Sequence, residues 1–145
     1  MPESDPSSVS EPADSFDVFM DGYMQAWSQA DVGSIVASYQ TPCFVFKSGR
    51  LLLHVDEMSK ARYFAGLVDG TRTELSMGAR WHRRHFRAER LGQSSALVTV
   101  RGTFERPDGT ALEDYFDSYL LGLVDGSWGF LGDTVHDGAP VEAAP

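Results

Sequence analysis

The chain has 145 residues, with 21 Asp and Glu against 12 Lys and Arg, for a formal net charge of −9. That balance excludes non-specific binding to nucleic acid or to an anionic membrane surface, since both need clustered basic side chains. With 42% apolar and 23% charged residues, the composition is that of one globular domain able to bury a single core without staples. In chain order, residues 1–14 carry Pro, Ser, Glu and Asp with little to bury and read as a disordered leader; residues 138–145 read as a similar tail. Ser15 is placed to cap a first helix running to about Ala30, with Phe16, Phe19, Met20, Tyr23 and Trp27 on one stripe. Asp31 caps a second, in which Val32, Ile35, Val36 and Tyr39 repeat the pattern until Pro42 ends it. Residues 43–47 and 51–55 form a short hairpin turning at Ser48-Gly49-Arg50. Asp56 caps a third helix to about Val68, which stops at Asp69-Gly70-Thr71.

The last third of the chain reads as four consecutive strands, 79–91, 96–105, 112–123 and 128–136. They are rich in Val, Leu, Phe, Tyr, Trp and Thr, and are separated by Gly92-Gln93-Ser94, by Arg106-Pro107-Asp108-Gly109 and by Asp125-Gly126. Proline presets the turn φ, and Asp-Gly supplies the positive φ of a tight hairpin. The expected class is α+β: three N-terminal helices packed on a curved, mainly antiparallel sheet, in one domain spanning residues 15–137. The lone Cys43 cannot form an internal disulfide and reads as a small buried strand residue. No apolar run approaches the roughly 18 residues of a membrane span, and the acidic start lacks a signal-type hydrophobic region. A cytoplasmic protein with no membrane partner is the expectation.

Two stretches carry a resemblance, Tyr23-Met-Gln-Ala-Trp-Ser-Gln-Ala-Asp31-Val-Gly-Ser-Ile35-Val-Ala-Ser-Tyr39 and Asp125-Gly-Ser-Trp128-Gly-Phe130. Over residues 15–137 the chain resembles the nuclear-transport-factor-2-like superfamily, with its SnoaL-like polyketide cyclases, ketosteroid isomerase and scytalone dehydratase. The resemblance implies a sheet wrapped on the helices into a cystatin-like cone with a cavity inside, and a homodimer through the outer sheet face. By the spacing to Asp31, Tyr23 matches the oxyanion-binding tyrosine of ketosteroid isomerase, and Asp117 lies near its donor aspartate. The base of that enzyme falls on Lys47, an ordinarily protonated group, so the isomerase mechanism does not carry over.

The turns also suggest which strand faces look inward. A three-residue loop at 92–94 sets Arg90 against Ala96, which turns His82 and Arg84 inward and Trp81 and Arg83 outward. A four-residue loop at 107–110 then pairs Val100 with Asp117, whereas a three-residue loop there would turn Asp114, Phe116 and Ser118 inward instead. The Asp125-Gly126 hairpin pairs Asp117 with Thr134 and Tyr115 with His136, so Thr134 and His136 join the inner face. Phe116, Leu120, Leu131 and Val135, together with Trp81, remain on the outer face as an apolar patch suited to a second copy.

The catalytic candidates are therefore Asp117, Tyr23 and His136: a carboxyl whose pKa burial would raise, a phenol donor and a group titrating near neutrality. Trp27, Tyr39, Lys47, Tyr63, His82, Arg84, Tyr115, Tyr119 and Trp128 are the candidates for contact with a small hydrophobic molecule. No cofactor fingerprint or metal-ligand spacing appears; His82 and His85 lie three apart on a strand and point to opposite faces. Three functions stay open: a small-molecule-binding or accessory protein, a cofactor-independent acid–base enzyme (isomerase, cyclase or dehydratase) on an apolar polycyclic or aromatic substrate, or a structural dimer with a filled cone.

Overall fold

The computed structural model describes residues 6–138. Helix α1 (Pro6–Ser28) is followed by α2 (Val32–Ala37), β1 (Tyr39–Lys47), β2 (Arg50–His54), α3 (Glu57–Asp69), α4 (Arg72–Ser76), β3 (Arg80–Arg90), β4 (Ser95–Glu105), β5 (Ala111–Val124) and β6 (Ser127–Val135). The strands form one sheet in the order β2-β1-β6-β5-β4-β3. Every neighbouring pair is antiparallel except β1 with β6. The α+β class and mainly antiparallel sheet are as expected. Among the described residues no helix is long and apolar enough to cross a membrane.

Local chemistry explains most of the boundaries. Asp31 and Asp56 accept from the backbone N–H groups of Ser34 and Ser59, capping α2 and α3. Asp125 and Gly126 both adopt positive φ, as do Ser48 and Gly49, which gives two tight hairpins of the expected kind. The apolar stripe of α1 is buried at Phe16, Met20, Tyr23 and Trp27 and packs on Phe130, Trp81 and Trp128 from the sheet.

Three boundaries differ from expectation. Helix α1 starts at Pro6, where a missing N–H costs nothing, so residues 6–14 are helical rather than an unstructured leader. Residues 1–5 of that leader and 139–145 of the tail lie outside the described residues. Helix α2 ends at Ala37, and Tyr39 already belongs to β1. Pro42 sits inside β1 where its pairing with β6 is interrupted between Tyr39 and Phe44, so no ladder hydrogen bond is lost there. The short helix α4, between α3 and the large strands, was not foreseen.

Candidate functional site

Three register shifts decide the inner face of the sheet, one of them between Phe104 and Glu105, which sets Asp117 rather than Phe116 against Val100. Along β3, Arg90 pairs with Ala96 as the turn predicts, but the register shifts between His85 and Arg87. One extra residue there turns the N-terminal half of the strand over. Trp81 and Arg83 therefore point inward, opposite Phe104 and Gly102, while His82 and Arg84 point to solvent. Along β6 the register shifts again, between Leu120 and Leu121 of its partner strand. Asp117 consequently pairs with Val135, not Thr134, and Tyr119 pairs with Asp133. Asp133 and Val135 enter the cone; Thr134 and His136 do not. The pairing of Val100 with Asp117 is as expected.

These side chains meet in one buried network. The Arg83 guanidinium donates through Nη1 to the Tyr119 hydroxyl at 2.6 Å and through Nη2 to the Tyr115 hydroxyl at 2.5 Å. Tyr119 in turn donates to Asp117 Oδ2 at 3.1 Å, and Tyr39 donates to Asp133 Oδ1 at 3.0 Å. Tyr23 and Tyr119 hydroxyls lie 2.8 Å apart. Because the single Tyr119 proton is committed to Asp117, Tyr23 is the donor in that contact. Arg83 also lies 4.3 Å from the centre of the Trp27 ring, a cation–π arrangement on a desolvated aromatic. Gly102 makes room for this cluster: a Cβ there would come within 2.9 Å of Tyr115 Cζ.

The electrostatics follow from burial. Asp117 is raised well above its ordinary 3.8, first by burial and then by the charge of Asp133. Asp133 is raised as well, again by burial, but hydrogen bonding and the charges of Arg83 and Lys47 oppose the shift. Two adjacent carboxyls cannot both ionise cheaply, so Asp117 holds the proton and Asp133 the charge. Burial opposes the charge on Arg83, yet Tyr115, Tyr119, Tyr23 and Asp117 together outweigh it and the guanidinium stays protonated. Burial pushes Tyr23 and Tyr63 up to about 12, so both remain neutral donors. Among the described residues no cluster of His, Cys, Asp and Glu has the arrangement of a metal site.

The network lines a cavity of ≈ 390 Å³. Of the candidates from the sequence, Tyr23, Trp27, Tyr39, Lys47, Tyr63, Tyr115, Asp117 and Tyr119 line it. Four do not. His82 and Arg84 are half or more exposed and approach Glu105 at 3.7 and 3.6 Å. His136 bonds through Nε2 to Ser118 Oγ at 2.7 Å on the outer face. Trp128 packs edge-on to Phe16 at 5.3 Å, near the middle of α1. The sequence reading missed Arg83 and Asp133, the two charged members of the cluster. One signal was available for the first: an outward Arg83 entails an outward Trp81, a costly exposure that the inward alternative avoids.

The family described as NTF2-like protein (DUF6841) matches residues 13–138 of the chain. Among curated protein sequences none matches. Solved structures with the same fold include an NTF2-like protein of unknown function from Shewanella oneidensis, 15% identical, with a TM-score of 0.68 over 87% of this chain and 99% of that one. A ketosteroid isomerase-like protein from Erwinia carotovora atroseptica is 16% identical, with a TM-score of 0.61 over 83% and 92%. A putative aromatic ring hydroxylase from Novosphingobium aromaticivorans is 14% identical, with a TM-score of 0.63 over 90% and 91%. Similarity at this level speaks for the cone fold alone. With the family match spanning nearly all of the described residues, the chain belongs to the NTF2-like family DUF6841.

Proposed function

We infer that the cone binds one small, flat, mainly apolar molecule whose polar end meets the Arg83–Tyr119–Asp117 cluster. The observation that carries this reading is the union of an aromatic-walled cavity of ≈ 390 Å³ with buried polar groups in its lining. A volume in that range and a few convergent polar groups are typical of small-molecule sites, and they argue against a filled, purely structural cone. Native mass spectrometry of the purified chain tests the reading. A bound small molecule that leaves on denaturation supports it, and its loss when Tyr39 or Tyr63 is enlarged to Trp localises it to the cone. A chain that carries nothing, and that no aromatic compound stabilises in thermal shift, overturns it.

A second reading, an acid–base enzyme in the same cone, has a specific observation in its favour. Asp117 and Asp133 are two carboxyls in one cluster with different protonation preferences, the arrangement from which acid and base roles are drawn. Asp117 would supply a neutral acid's proton and Tyr23 a phenol donor to an oxygen that gains charge. His136 takes no part, since it lies on the other side of the sheet. Turnover of a candidate compound that Asp117→Asn abolishes while leaving its affinity intact favours the enzyme; affinity without turnover favours the binding protein.

The outer face is suited to a second copy of the chain. Register aligns Leu97, Leu120, Phe44 and Leu53 in one row across the sheet. Leu53 is 64% exposed and Leu97 41%. Leu120 lies here as expected, whereas Trp81 and Val135, expected on this face, are inside the cone.

A further inference from the structure

We propose that the molecule held in the cone carries a carboxylate, received by the indole N–H groups of Trp27 and Trp81 and the Nε–H of Arg83. This rests on the reading of the cone as a binding site and names the chemistry of its ligand. Among the described residues, Trp27 Nε1, Trp81 Nε1 and Arg83 Nε are buried and have no hydrogen-bond partner. All three residues line the same cavity. Trp27 and Trp81 pack at 5.3 Å with their rings edge to face, and the guanidinium stacks on Trp27. Their side chains are 3–5% exposed, so each lacks bulk solvent as an acceptor.

An indole or guanidinium nitrogen can only donate. Three unspent donors on residues that line one cavity, one of them cationic, call for an acceptor with several lone pairs, and a charged acceptor makes the strongest such bonds. Both terminal nitrogens of Arg83 are already committed to Tyr119 and Tyr115, which leaves its Nε edge for the incoming group. The acidic neighbours do not cancel the attraction. Asp133 accepts from Tyr39, and Asp117, which accepts from Tyr119 through Oδ2, is the neutral carboxyl of the pair. The exposed Lys47, Glu113 and Asp114 also line the cavity, so its solvent-facing part carries both signs. A flat ring bearing a carboxylate would place its apolar body against Tyr63, Phe64 and Leu67.

The test is calorimetric titration of the full chain with 1-naphthoate and with 1-naphthamide, which has nearly the same shape and no charge. The acid is expected to bind about tenfold more tightly than the amide, the effect of hydrogen bonds to a charged rather than neutral acceptor. Trp27→Phe and Trp81→Phe remove one N–H each while keeping a ring, and should each lower the acid-to-amide ratio several-fold. Trp128→Phe should leave the ratio unchanged. Equal affinity for acid and amide, or a ratio that survives both substitutions, overturns the carboxylate while leaving the binding site standing. Failure of both compounds to bind counts against the site itself and the carboxylate with it.

Discussion

Arg83 Nη1 lies 3.7 Å from Asp117 Oδ2, beyond direct hydrogen bonding, and the Tyr119 hydroxyl fills the gap by accepting from one and donating to the other. One phenol thus satisfies a buried cation and a buried carboxyl together. Replacing Tyr119 by Phe keeps the ring and strands both partners. The expected loss is about 1–3 kcal/mol, read as a lower midpoint in urea unfolding. A midpoint equal to that of the parent chain would mean that the bridge is not made.

Neighbouring arginines on β3 offer a test of the bulge. Arg83 is buried in the network, and Arg84 is 61% exposed. Arg83→Met should cost about 3–5 kcal/mol, because it leaves a buried carboxyl cluster without its cation. Arg84→Met should fall within about 0.5 kcal/mol of the parent. The reverse order would restore the uninterrupted register with Arg84 inside.

The protonation of Asp117 has a consequence for stability. Its unfolded form loses a proton near 3.8, whereas the folded form keeps it to a much higher pH. Above 3.8 the native state therefore binds more protons than the unfolded state, and stability falls as pH rises until the folded group ionises. Asp31, Asp56 and Asp114 are shifted below 3.8, so their contribution is lost only at still more acidic pH. His54 and His136 are lowered from 6.5, chiefly by burial, and act in the opposite sense between those limits. Comparison with Asp117→Asn removes all of these common contributions. The difference in melting temperature between the variant and the parent should shift in favour of the variant from pH 4.5 to pH 8. A difference that does not vary with pH would place an ionised Asp117 in the native cluster.

Gly102 pairs with Tyr115, and its missing side chain is where the Tyr115 ring lies. Gly102→Ala should displace that ring from Arg83 at a cost of about 1–3 kcal/mol, the range for overpacking. Tyr115→Phe in the same background should then cost little more, because the hydroxyl has already lost its donor. Full additivity of the two changes would show that Gly102 does not seat Tyr115.

The apolar row on the outer face predicts a dimer in sedimentation velocity. Leu53→Lys with Leu97→Lys places two charges in that row and should give monomers with an unchanged fold by circular dichroism. A dimer that survives both changes has its interface elsewhere.

Much of the architecture was legible in the string. Alternation with period 2, Asp-Gly at a hairpin and Asp at two N-caps are local chemistry, so the four long strands and the helices after Asp31 and Asp56 could be located from residues close in sequence. The pairing nearest the first turn, Arg90 with Ala96, followed from the same short-range geometry; the loop at 107–110 left two registers open, and the structure reaches Val100 with Asp117 through a bulge between Phe104 and Glu105. The choice between Arg83 and Arg84, and between Asp133 and Thr134, did not follow from that geometry. Each depended on a single extra residue in a strand, a bulge with no strong local signature. A one-residue offset reverses every side chain beyond it. Only the packed cone, in which Trp81 must be buried and Arg83 must find the tyrosines, selects where those offsets fall. Burial is a property of the whole assembled sheet, and it is there that the charged half of the site was decided.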